Sequence, residues 1–225
     1  MKHKHAFIMA ACLTLAALSP LASNAAATKA PPDTPTAAEQ PFVTRATTEL
    51  QKMYGTTSQA SAAGYFRYNN EDRTGAISWV NPKYWVSDET HPSQIWYDVK
   101  GRLIGVDYST LWTDAKHPPS KWGIIPARWF EFTNHVHFAL MEPDATLKFG
   151  GMEDSSITKV GGDPASVTAA DIVKTGKALS TAQVAFAFHF DHLWDLEFWL
   201  IPNPSGAFAE KNPDVKPSTT HAGGM

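Results

Sequence analysis

The chain is short of cysteine, of basic charge and of long apolar runs. Its one cysteine in 225 residues is Cys12, which falls in an N-terminal leader, so the rest of the chain is held by its core and not by disulfides, even in an oxidising compartment. Nineteen basic residues stand against 22 acidic ones, which leaves no basic patch or tail to attract nucleic acid or an anionic membrane surface. No apolar run reaches the length of a bilayer span. The sequence holds no nucleophile elbow, phosphate loop or dinucleotide fingerprint, and no internal repeat.

What is present starts with Lys2 and Lys4, an apolar run from Ala6 to Leu18, and the small residues Ala25, Ala26 and Ala27. This is the order of a secretory signal peptide over residues 1–27, and it predicts an exported protein, periplasmic or secreted. Cleavage there removes two lysines and no acid, leaving 17 basic against 22 acidic residues, a net charge of −5. Residues 28–40, with Pro31, Pro32 and Pro35, read as an extended lead-in. Residues 41–201 read as one β-rich domain with helices at its start, and residues 202–225 as an irregular Pro-rich tail pinned by Phe208.

Within the domain, Phe42, Val43, Ala46, Leu50, Met53 and Tyr54 recur at helical spacing, and Gly55 follows where a C-cap glycine belongs. A short second helix is expected over 58–63, stopped by Gly64. Strands are expected at 76–80 and 94–99, with Lys100-Gly101 turning the chain into 103–110 as a hairpin. A further strand at 146–149 and a late helix at 167–177 follow. The fold class is α+β: mainly an antiparallel β-barrel or sandwich, with two N-terminal helices and one late helix packed outside.

Two long stretches carry the candidate chemistry. From Val184 to Ile201 the even positions are apolar almost throughout, whereas His189, Asp195 and Glu197 occupy odd ones, a period of two that means β-structure with two different faces. A bend or turn near Asp191, His192 and Leu193 is expected, with parity kept across it, so that Phe186, Phe188, Leu196 and Phe198 share a buried face and His189, Asp195 and Glu197 the other. From Arg128 to Met141, likewise, Phe130, Phe132, Val136, Phe138 and Leu140 lie on one side and Glu131, His135 and His137 on the other. If the two stretches are neighbours, His135, His137 and His189 converge on one divalent transition metal (zinc, iron, manganese or copper), and Asp195 and Glu197 supply a catalytic carboxylate that moves a proton. The alternative on the same residues is a wet sheet face whose histidines have no function. Trp85 and Trp112, in Pro-bearing loops, are candidates to stack on a ligand or to pin their loops, and 69–72 is either a set of cation oxygens or a turn.

His135-Val136-His137, four residues, Glu142 and then Gly150 resemble, over residues 135–150, the first motif of the cupin superfamily. The resemblance implies a small β-barrel with a metal held by His135, His137 and Glu142 and by a further histidine, for which His189 is the candidate. Three functional classes remain open on the sequence: a metal-dependent enzyme on a small molecule, a non-catalytic exported protein that binds a small ligand, and a homo-oligomeric assembly subunit without chemistry.

Overall fold

A computed structural model describes residues 32–218; the leader with Cys12, the start of the lead-in and residues 219–225 lie outside the described residues. Helix α1 (Gln40–Tyr54) has Pro41 in its first turn and buries the stripe Phe42, Val43, Ala46, Leu50 and Tyr54, as the helical period requires. No short polar side chain caps it. Glu39, wholly buried, instead pairs with Arg128 at 3.1 Å and accepts the Thr36 N–H at 2.8 Å, while Arg128 lies 4.0 Å over the Phe208 ring. Burial works against the charged form of Glu39, yet Arg128 and the N–H groups of Thr36 and Ile125 hold its carboxyl below the usual range. One buried ion pair thus ties lead-in, helix and tail together. Gly55 is right-handed (φ −58°), not the left-handed cap its position predicts, whereas Gly64 (φ +90°) does lie beyond the end of α2 (Thr57–Ala62) in the left-handed region.

Nine strands follow among the described residues: β1 (Phe66–Arg67), β2 (Ile77–Val80), β3 (Gln94–Tyr97), β4 (Leu103–Leu111), β5 (Phe130–Phe132), β6 (His135–Met141), β7 (Leu147–Met152), β8 (Val184–Phe190) and β9 (Leu193–Trp199). They form two sheets, of order β1-β2-β3-β4-β9-β5 and β7-β6-β8, with every pairing antiparallel. Neither sheet closes on itself, so the described residues form no closed barrel. Helices α3 (Asp154–Lys159) and α4 (Ala169–Lys174) lie between β7 and β8. The second is shorter than the 167–177 helix expected, and nothing in the sequence reading anticipated the first.

Both long stretches divide between the sheets. The chain leaves the six-stranded sheet after β5 and enters the three-stranded one at β6, and it returns through Asp191 and His192, from β8 to β9. The parity expected across that bend therefore fails. Leu196 and Phe198 join the core under α1, with Val106, Tyr108, Phe42 and Leu50, whereas Phe186 and Phe188 belong to a second cluster with Tyr68, Val80, Trp85 and Phe190. In that cluster the two sheets meet: Phe66 touches Phe186 at 5.2 Å between ring centroids, and Trp85 touches Phe190 at 4.4 Å. A third cluster, Val136, Phe138 and Leu140 with Ile157 and Ile172, lies where α3 and α4 cover the other face of the three-stranded sheet.

Candidate functional site: carboxylates beneath an aromatic cavity

The histidines do not converge. Residues directly opposite in an antiparallel pair share a face, and β6 sets His135 against Phe190 and His137 against Phe188, but Val136 against His189. His135 and His137 therefore point between the sheets among aromatics, and His189 points to the helix-covered side. There its Nε2 meets Asp154 and its Nδ1 meets Asp191, each at 3.0 Å. Glu142 sits in the turn after β6, about 16 Å along the strand from His137 at the usual rise per residue, with its N–H on Thr146. The metal set expected from His135, His137, His189 and Glu142 is not assembled around one point. Gly150 has another reason to be small: it stands opposite Phe138, and a Cβ on it would lie 2.6 Å from that ring.

His135 and His137 do meet, Nε2 to Nε2, at 2.8 Å. The Nδ1 of His135 lies 2.8 Å from the Thr133 carbonyl oxygen, which only accepts, so in the neutral pair His137 donates across and keeps a bare Nδ1. That atom is buried and has no partner. Burial first, and the neighbouring His135 second, lower the His137 pKa to about 3, so this ring is neutral.

The carboxylates are brought together instead. On β4 the residues Gly105, Asp107 and Ser109 alternate with Val106 and Tyr108, and β9 sets Glu197 directly against Asp107 and Asp195 against Ser109. Asp107, Asp195 and Glu197 offer oxygens that all lie within 4.8 Å of one another. Ser109 donates to one Asp195 oxygen at 2.8 Å; the other, and one oxygen of Asp107, are buried without a partner. Burial, then the charges of Glu197 and Asp195, push the Asp107 pKa well above the carboxylate range. Asp195 rises to about 7 through burial, with Ser109 pulling the other way. Glu197 still meets water, yet its surroundings and the charges of Asp195 and Asp72 raise it to about 8.

Above them lies a cavity of about 280 Å³, walled by Tyr68, Trp96, Phe132 and Trp199 and holding Asp107 and Glu197 on its surface. Tyr68 stands between the two clusters: its ring meets His137 edge-on at 4.8 Å, and its hydroxyl donates to Gln94. Trp96 lies against the bare backbone of Gly105, where a Cβ would fall 2.0 Å from the indole. Residues 69–72 lie in the connection from β1 to β2 just before its turn at 73–74, where the Asp72 carboxylate accepts from the N–H groups of Thr74 and Ala76. Of the loop tryptophans, Trp85 is buried against Phe190 and Trp112 stacks on His192 at 4.2 Å, so both pin their loops.

Asp195 and Glu197 were expected on one face, and they share it. Asp107 was missed. The signal for it was a single acid in an otherwise apolar strand, at the parity of Gly105 and Ser109. No protein-family model, characterised protein or solved structure matches this chain.

Proposed function

We propose that this is an exported protein, folded as a sandwich of two open sheets, that binds a small positively charged ligand in the cavity above Asp107, Asp195 and Glu197. The observation that carries the reading is a buried acid, Asp107, placed directly against Glu197 where the sheet meets the cavity, with one oxygen of Asp107 and one of Asp195 buried without a partner. Like charges opposite each other destabilise a sheet, and buried acceptors without a donor cost free energy. A bound cation removes both penalties, and perturbed carboxylates in a cleft are the usual mark of a working site. The sandwich is supported by the aromatic contacts between the sheets, and export by the leader sequence.

The pKa values of about 7 and about 8 for Asp195 and Glu197 favour a second reading on the same residues. Near neutral pH the cluster holds a proton that it can give or take, which is general acid–base catalysis on a bound substrate.

The cation reading is tested by thermal unfolding of the full chain at pH 8 with calcium, manganese, zinc and a simple diamine. At least one cation raises the midpoint, and Asp107→Asn combined with Glu197→Gln abolishes that rise. A midpoint indifferent to every cation sinks the reading.

A further inference from the structure

Resting on the cation-binding reading, one observation narrows the ligand class. Three of the lining oxygens beside the carboxylates are already engaged: the Gln94 side-chain oxygen accepts from Tyr68, the Asn69 side-chain oxygen from the Ser78 N–H at 2.8 Å, and one Asp72 oxygen from its own turn. A bare metal ion of the oxygen-seeking kind takes six to eight oxygen ligands, whereas Tyr68, Trp96, Phe132 and Trp199 give this lining four aromatic side chains. The cavity volume, 280 Å³, is also several times that of one water, about 30 Å³. No Lys, Arg or His lines it among the described residues, whereas Asp72 and Glu210 add two further acids to the lining.

We propose that the cavity takes a small organic ammonium ion of the size of a short diamine, its nitrogen on Asp107 and Glu197 and its carbon chain against the indoles of Trp96 and Trp199. An ammonium group brings three N–H donors and no acceptor, which is what the unpartnered oxygen of Asp107 lacks. Asp107 is more than nine-tenths buried, so charge-assisted hydrogen bonds made there are of the strong kind. Aromatic rings attract a cation within about 6 Å of their centres, and methylene groups suit the same walls. Asp72, whose charge reaches Glu197, and Glu210 offer a place for a second ammonium group.

The test is calorimetric titration of the full chain with 1,4-diaminobutane, with 1,4-butanediol as the neutral isostere, and with calcium and manganese chlorides. Saturable one-to-one binding of the diamine is expected, with none of the diol. Trp96→Leu and, as a second wall variant at a half-buried position, Phe132→Leu should each weaken the diamine at least tenfold while circular dichroism confirms the fold. Metal binding without diamine binding overturns the ammonium assignment and leaves the cation reading standing; binding of neither overturns both. Diamine affinity unchanged in both wall variants also overturns it, since surface acids alone would then account for the heat.

Discussion

The two faces of the six-stranded sheet are built from alternate residues of the same strands, and they have opposite characters. On the α1 side, Val106, Tyr108, Leu196 and Phe198 are buried to 1% exposure or less, Tyr108 and Phe198 stack 9° from parallel, and the Tyr108 hydroxyl donates to the Glu89 carbonyl oxygen at 2.9 Å. On the other side, Asp107, Asp195 and Glu197 crowd together with two oxygens unpartnered. The first face holds the fold together. The second crowds acids together and leaves buried oxygens unpartnered, and this is the face to which the cation site is assigned by proposal.

The largest break in this comparison is on the packed face. Phe198→Ala should lower unfolding stability by roughly 3–5 kcal/mol, as for a core aromatic, read by denaturant unfolding. One register position away on the neighbouring strand, and on the opposite face, the sign should reverse. Asp107→Asn removes the acid whose ionisation sets a like charge against Glu197 and should raise stability, most of all toward high pH, by up to about 1 kcal/mol; a loss there would mean that the acid is structural. The smallest effect is the pH profile of the unliganded protein. Asp195 and Glu197 have folded pKa values raised above 3.8 and 4.5, so the folded state binds more protons than the unfolded chain, and their contribution is lost as pH rises toward 8. His137 has its pKa lowered from 6.5, so its contribution is lost as pH falls below 6.5. Between pH 6.5 and 8 only the carboxylates act, and the thermal midpoint should decline. Asp107→Asn should flatten that decline, and a saturating cation should abolish it; a midpoint that climbs across this window would reject the raised carboxylate values.

The same comparison explains how far the site could be read beforehand. The alternation in 193–199 places Asp195 and Glu197 together without any knowledge of neighbours, and the alternation in 103–111 separates Asp107 from Tyr108. That Asp107 faces Glu197 depends on β4 lying beside β9, far apart in the chain, as the Ser109 to Asp195 bond across 86 residues shows. The histidines failed for a different reason. His135 and His189 each have the parity expected in their own strand, but β6 and β8 meet in a register that sets His135 against Phe190, and that register follows from burying Phe186, Phe188 and Phe190 against the other sheet.

The sequence by itself determined the helical stripe of α1, the strands other than β1 and the antiparallel hairpin from β3 to β4, because each is a local periodicity that any burial would respect. It also determined which residues alternate with which. Only the tertiary structure decided which sheet each half of the two long stretches joins, and hence which face becomes interior. Parity belongs to one strand, and the two residues Asp191 and His192 carry the chain from one sheet to the other. After such a crossing the inward direction is set by the aromatic clusters that the new strand must cover, not by the count of residues before it.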